Sequence, residues 1–306
     1  MKELEILKKP LFWLILILIL LWGAVFSLPD KQLHLVFCDI GQGDAILISY
    51  RQIQVLIDGG PDNKVSNCLS KHLPFWDRQI EMVVLTHPDE DHFVGLIDVF
   101  KRYNVRYFVA NSLINNKVSF WQFYQLVLAE KASFYSPKAG EKIKIGSLEF
   151  SVLWPEKKLG DSRVWRKENL AYFSENKPLP DSLLTAATFS DELNDTSIVL
   201  QLSFSHSQAL FTGDISEKVE KLLDLPVDGV EILKVAHHGS KFSTSEEFLR
   251  KIKPKLAVIS VGKNRFGHPT PEVLERLNQA GIRVLRTDQQ GEIEIVSNGW
   301  EWYNRF

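Results

Sequence analysis

Between His87 and His92, in the run Thr86-His87-Pro88-Asp89-Glu90-Asp91-His92, five of six residues carry a side chain that can bind a metal. The apolar segment Met82-Val83-Val84-Leu85 ends immediately before it. A strand that stops there delivers two imidazoles and two or three carboxylates into a cleft, where without a cation they would repel or stay unpaired. The fold must therefore supply a strand end facing other walls that complete the set. An acidic helix start would account for Asp89 and Glu90, since carboxylates complement the dipole of a helix beginning near Phe93-Val94-Gly95-Leu96-Ile97. It leaves the histidine at each end unexplained.

Composition limits what such a cleft can serve. The chain has 306 residues, 45% of them hydrophobic and 24% charged, enough for a large core in one domain or two small ones. A formal net charge of -2 excludes coating nucleic acid through bulk positive charge, yet leaves room for a local basic groove and a phosphodiester substrate. Cys38 and Cys68 are too few and too far apart for a zinc knuckle or a disulfide framework, and spacing does not tell whether they pair.

The amino terminus is a separate object. No charged residue occurs from Leu11 to Phe26, and Leu14 to Trp22 is apolar on every face, unlike an amphipathic core helix. The length approaches the ~20 residues needed to cross a bilayer. Lys8 and Lys9 lie on the amino-terminal side, with Trp13 and Trp22 placed as interfacial anchors. The expectation is one transmembrane helix within a segment 1–28, leaving a domain 29–306 outside the cytoplasm by the positive-inside bias. Secretion after signal-peptide cleavage is the competing reading, although no small-x-small site stands out near Ala24 to Leu28.

From Leu33 onward short branched-residue strands alternate with helical stretches. Expected strands are Leu33 to Cys38, Asp44 to Ile48, Gln54 to Asp58, Glu81 to Thr86 and Arg106 to Ala110, then Ser197 to Ser203, Gln208 to Thr212, Val230 to Ala236 and Lys255 to Val261. Expected helices cover Lys64 to Leu73, Phe93 to Tyr103, Phe120 to Lys131, Ser216 to Leu223, Ser245 to Lys251 and Pro271 to Ala280. That order suggests two mixed sheets with helices outside both faces. Periodicity fails across 155–194, read as a long loop or flap with a helical turn around Trp165 to Tyr172.

Three later clusters resemble the first in kind. Leu210-Phe211-Thr212-Gly213-Asp214 places a carboxylate just past a strand, although a lone aspartate there would more often cap the helix that follows. Lys234-Val235-Ala236-His237-His238-Gly239-Ser240 brings paired imidazoles to another strand end, where they need partners. Gly267-His268-Pro269 adds a histidine at the start of a helix favoured by its prolines.

His87-Pro88-Asp89-Glu90-Asp91-His92 resembles the metal signature of the metallo-β-lactamase superfamily, in the form where aspartate replaces the usual second histidine. Together with Asp39-Ile40-Gly41-Gln42-Gly43-Asp44-Ala45, Leu56-Ile57-Asp58-Gly59-Gly60, Phe211-Thr212-Gly213-Asp214, Ala236-His237-His238-Gly239-Ser240 and Gly267-His268-Pro269, it is similar to the carboxy-terminal hydrolase domain of ComEC-type competence proteins, from about Leu33 to Ser297. The resemblance implies an α/β fold, a metallo-β-lactamase-like αβ/βα four-layer sandwich with the metal cleft at one sheet edge. It also implies two divalent metal ions. His87 and Asp89 would hold one, Asp91, His92 and His237 the second, and Asp214 would bridge; adjacent His238 is an alternative ligand. Asp89 makes the site more oxygen-rich, shifting preference from zinc towards manganese. Asp195 stands near where the family has another histidine, and could ligate or cap a turn. Asp58 would orient a metal-bound histidine from behind.

The implied chemistry is hydrolysis by a metal-activated water, with Asp91 in the catalytic set and His268 donating a proton to the leaving alkoxide or else locking its loop. Ser240 and Lys241 could touch a phosphate or do nothing. The resemblance implies DNA as substrate and a DNA-uptake channel as partner, with the membrane reached through the amino-terminal helix. Other esters, namely a cell-envelope phosphodiester, a nucleotide or a lactone, are alternatives because one fold hosts many chemistries. A non-catalytic scaffold of an uptake complex is a further alternative, disfavoured because it has no need to retain Asp91, His92, Asp214 and His237 together.

Overall fold

The computed structural model describes residues 10–26, 29–113, 115, 117–160, 165, 193–225 and 229–305. Fifteen strands lie in two sheets among these residues. The first sheet holds β1 (Leu33–Phe37), β2 (Ile46–Tyr50), β3 (Ile53–Ile57), β4 (Gln79–Leu85), β5 (Asn104–Ala110) and β6 (Ser133–Tyr135). The second holds β7 (Lys142–Ile145), β8 (Leu148–Trp154), β9 (Val199–Phe204), β10 (Ser207–Phe211), β11 (Ile232–Lys234), β12 (Leu256–Ile259) and β13 (Arg283–Arg286). The chain then returns to the first sheet as β14 (Ile293–Ser297) and β15 (Trp302–Arg305). Spatial orders are β15-β14-β1-β2-β3-β4-β5-β6 and β13-β12-β11-β10-β9-β8-β7.

Period-two alternation sorts the strand residues between layers. Leu35, Phe37, Ile48, Met82 and Val84 meet Phe150, Leu200, Leu202 and Phe211 between the sheets. Val36, Leu47, Val83 and Leu85 face outward onto the helices Lys64–His72, Leu96–Arg102 and Val118–Ala129. Leu210, Leu233, Ala257 and Ile259 do the same under Glu246–Ile252 and Pro271–Gln279. Both faces of each sheet are thus covered, which explains the nearly continuous apolar runs of β1 and β4. The result is a helix–sheet–sheet–helix α/β sandwich, as the strand and helix order suggested.

Two parallel blocks decide where the chemistry sits. β3, β4 and β5 run parallel in one sheet, and β10, β11, β12 and β13 in the other. Asp58, Thr86-His87, Thr212-Gly213-Asp214 and the His237-His238 pair all follow carboxyl ends of these strands, where clefts form in open α/β sheets.

Several expectations need correction. Among the described residues no helix is long and apolar enough to cross a membrane. The helix Pro10–Phe26 is apolar but has only 17 residues, a rise of about 25 Å against a hydrocarbon core of about 30 Å. The expected transmembrane helix, and the membrane-anchored location drawn from it, are therefore not supported. Cys38 and Cys68 are joined in a disulfide, their Cα atoms 5.8 Å apart; β1 and the helix Lys64–His72 meet only after folding, so chain spacing concealed the pair. The flap expected over 155–194 falls mostly outside the described residues, as does its helical turn apart from Trp165, which is buried against Phe108 and Phe134.

The helix expected over Phe93 to Tyr103 is instead split into Glu90–Phe93 and Leu96–Arg102. Gly95 N–H donates to the Gly60 carbonyl at 2.8 Å, and a Cβ on Gly95 would lie 1.9 Å from the Gly59 carbonyl oxygen. This close approach pins the histidine- and aspartate-rich turn to the loop after β3. Gly95→Ala is expected to destabilise the protein by about 1–3 kcal/mol through overpacking, read as a lower urea midpoint at unchanged m; an unchanged midpoint would show that the two backbones separate freely.

Candidate metal centre

The turn after β4 is held from behind. Asp58, wholly buried and with a left-handed φ of 59°, accepts from Thr86 N at 2.8 Å and Thr86 Oγ1 at 2.7 Å. Its Oδ2 also lies 2.8 Å from His92 Nδ1, which fixes that ring with Nε2 turned into the cleft. His92 Nε2 faces Asp214 Oδ2 at 3.4 Å and Asp91 Oδ1 at 3.9 Å. His238 comes from the other sheet: its Nδ1 donates to Ser260 O at 2.8 Å, and its Nε2 stands 3.3 Å from Asp214 Oδ2 and 3.4 Å from Asp91 Oδ2.

The Nε2 atoms of His87, His92 and His238 are buried and have no hydrogen-bond partner. Buried polar atoms are normally satisfied, so three orphaned imidazole nitrogens converging on carboxylates are a donor set that fits cations. Ligand atoms of His87, His92 and Asp214 lie within 4.8 Å of one another, as do those of Asp91, His92 and His238.

The adjacent histidines thus separate. His237 and His238 both take left-handed backbone, φ 49° and 52°, uncommon for residues with a Cβ. His238 enters the cluster, whereas His237 stays 30% exposed, with Nε2 4.0 Å from Asp214 and 3.3 Å from Asn194 Nδ2. Of the two histidines the spacing left open, with His237 placed first, the geometry brings His238 within 3.4 Å of Asp91 and Asp214 and leaves His237 at the edge of the cluster. Asp195 turns away, both of its oxygens engaged by the backbone and hydroxyl of Ser216; it holds the start of a helical turn. Ser240 is buried, its Oγ facing Phe242 N at 3.4 Å, and Lys241 lies over the Phe242 ring; neither is among the described residues lining the cleft. Asp89 does line the cleft, with Oδ1 accepting from Glu90 N at 3.0 Å.

Two participants went without a role in the sequence. Lys234 is fully buried at the end of β11 and pairs with Asp44, while its Nζ reaches Gly213 O at 2.9 Å and Asp214 Oδ1 at 3.5 Å. A lysine within the apolar run Ile232-Leu233-Lys234-Val235-Ala236 was the available signal, because lysine is almost never buried unpaired. Asp44 is brought in by the Gly41-Gln42-Gly43 turn: a Cβ on Gly43, φ 128°, would lie 2.2 Å from the Asp91 carbonyl oxygen.

Charge is tightly balanced here. Burial opposes a charge on His92, but Asp214, Asp58 and Asp91 outweigh it and hold its pKa well above the usual imidazole range. Burial is likewise overcome at His238, where Asp214 and Asp44 raise the pKa to about 10. His87 is pushed down to about 3 by burial and the neighbouring charge of His92. Burial would raise Asp214, yet His238, His92 and Lys234 hold it well below the carboxylate range. His268, whose ring lies 5.3 Å from that of His237, is pushed down to about 4 by burial and by the charges of His237 and His238.

The cleft above the cluster has a volume of about 950 Å³ and is lined by Gln42, Lys64, Asp89, Asp91, Lys263 and Phe266 among others. A strand-end cluster of histidines and aspartates between two mixed sheets defines a metal-dependent hydrolase site, and the model of the metallo-beta-lactamase superfamily matches residues 38–263. The chain belongs to that superfamily.

Its curated relatives are more particular. ComE operon protein 3 of Bacillus subtilis (strain 168) is 31% identical over 277 residues, 84% of this chain and 32% of that protein. Competence protein ComA of Neisseria gonorrhoeae is 26% identical over 277 residues, 88% of this chain and 33% of its own length. The chain therefore spans about a third of the length of these relatives. The metallo-beta-lactamase fold protein YhfI from Bacillus subtilis superposes with a TM-score of 0.52 at 9% identity, over 86% of this chain and 99% of that one, a likeness of fold.

Divalent cations and protons compete for these imidazoles. In protein stripped of metal, the raised pKa values of His92 and His238 contribute stability below about pH 6.5, and that contribution is lost as pH rises through the His238 value of about 10. The gap in thermal midpoint between metal-loaded and stripped protein should therefore widen from pH 6.5 to 10, and calorimetry should show protons released on loading. A gap independent of pH would exclude this exchange.

Proposed function

We propose that the protein is a phosphodiesterase of the nuclease type, cleaving DNA with two divalent ions. The observation that carries this reading is the convergence of the orphaned Nε2 atoms of His87, His92 and His238 on Asp91 and Asp214, at the floor of an open cleft lined by Lys64 and Lys263. In this reading Asp91, His92 and His238 would hold one ion and His87 and Asp89 the other, with the Asp214 carboxylate within reach of both histidine groups. The mixed nitrogen and carboxylate donors suit manganese as well as zinc. When bound, such a pair acidifies a shared water and stabilises charge on attacking and leaving oxygens.

The chain's own residues do the rest. Asp58 keeps the His92 ring from turning, and Lys234 holds Asp44 and Asp214 in place against their mutual repulsion. Lys64 and Lys263 are the cleft's lysines available to contact phosphates beside its carboxylates, whose charge bound cations would offset. His268, with a pKa near 4, is neutral at pH 7, so it acts by donating a hydrogen bond from an uncharged ring to a developing alkoxide rather than as an imidazolium. The names of the relatives, competence proteins among them, support DNA over other esters, and a DNA-uptake channel is the partner in keeping with that use.

Purified protein loaded with manganese or zinc should cleave single- or double-stranded DNA and a bis-aryl phosphodiester, and His87→Ala should abolish both activities. Activity confined to a carboxylic ester and lost in His87→Ala would overturn the nuclease reading; less than one divalent ion bound per chain after loading would overturn the enzyme reading. His268→Ala should lower kcat about 100-fold, as loss of one charge-stabilising donor does, with a smaller loss in His268→Gln.

A further inference from the structure

An aromatic face exposed on the wall of a cleft offers a surface on which a base can stack. Phe266 is 71% exposed and lines the same cleft as Asp91, Asp214 and His238. Other exposed aromatics of the described residues, such as Phe75, Trp76 and Trp300, lie outside that cleft.

The loop that carries Phe266 is braced. Asn264 Oδ1 accepts from Phe266 N and His268 N, each at 3.0 Å. Its Nδ2 donates to Gly262 O at 2.9 Å and His268 O at 2.7 Å. Gly262 packs so closely on the Gly41-Gln42 turn that a Cβ would lie 2.4 Å from the Gly41 carbonyl carbon. The Phe266 ring is stacked against His268, centroids 5.7 Å apart and planes 29° apart, and the His268 ring in turn lies 5.3 Å from His237. Phe266 is thus held by a hydrogen bond from its N–H to the Asn264 side chain and by one ring contact, with most of its surface open.

We infer that Phe266 is a stacking platform for a nucleobase next to the scissile phosphodiester, making unpaired nucleic acid the substrate class. The inference rests on the phosphodiesterase reading and deepens it. A phenyl face offers van der Waals contact to any base without reading its hydrogen-bonding edge, so the platform is tolerant of sequence. In a duplex the base faces are buried against each other, so this contact requires an unstacked nucleotide. Lys64 and Lys263 on the same cleft are the cations available to the phosphates of such a strand, and the aromatic face supplies the base contact.

The test uses the full chain loaded with manganese and three substrates: a single-stranded oligonucleotide, the same strand with abasic residues around the cleavage position, and its duplex. Phe266→Ala is expected to raise KM on the single strand about ten-fold with kcat little changed, and Phe266→Trp to restore it. The loss from Phe266→Ala should be several-fold smaller on the abasic strand, and wild-type protein should prefer single strand over duplex. Anisotropy of a labelled single strand, with metal withheld by chelation, should show the same ten-fold weakening in Kd. Equal losses on base-bearing and abasic strands, no loss at all, or a fall in kcat alone would overturn the platform while leaving the phosphodiesterase reading standing. Failure of the wild type to cleave any of the three strands would overturn both.

Discussion

The pairing of buried Lys234 with Asp44 and Asp214 is the interaction on which the rest of the site depends. Four aspartates, 44, 58, 91 and 214, are gathered around His92 and His238, and burying that much negative charge is unfavourable unless each charge is paired. Lys234 supplies a permanent cation, with its charge favoured by Asp44 and Asp214 against the effect of burial. The remaining negative charge makes the imidazoles attractive to protons and the cluster attractive to divalent cations.

That balance needs two sheets. His87 and His92 come from the end of β4, while Asp214, Lys234 and His238 come from the ends of β10 and β11 in the other sheet. Ile198 N donates to Thr86 O at 2.9 Å and Asp214 N to the Ser197 hydroxyl at 3.0 Å, so one backbone and one side-chain hydrogen bond link the end of β4 through residues 197 and 198 to the end of β10. The apolar layer between the sheets, including Ile57, Val84, Ile198, Leu200 and Phe211, sets their spacing. Packing in the core thereby fixes the separations between the side chains of the cluster.

Much of this was legible along the chain because the motifs are local. His87 to His92 lie on one turn, and the nearly continuous apolar runs of β1 and β4 mark strands buried on both faces. Strands β7, β8, β13, β14 and β15 gave weaker signals, since Lys142–Ile145 alternates with lysines at the surface and Trp302–Arg305 sits at a sheet edge. The amino-terminal apolar run misled: hydropathy reports how apolar a segment is, whereas spanning depends on the length of regular helix. His237 and His238 were indistinguishable by spacing, because their separation rests on two successive left-handed residues that no periodicity encodes. Asp195 was likewise ambiguous until Ser216 came beside it.

Residue chemistry alone determined that this chain carries a strand-end cluster of imidazoles and carboxylates and that it builds mixed sheets covered by helices; that Asp214 joins His87, Asp91 and His92 was implied only by the family resemblance. The first two follow from local periodicity and from what each side chain can bind. Tertiary structure decided that His238 enters the cluster, that Asp195 caps a turn, that Lys234 neutralises Asp44 and Asp214, and that Cys38 meets Cys68. Each of those depends on a contact between segments distant in sequence, and proximity of that kind is set by sheet packing and backbone handedness rather than by residue type.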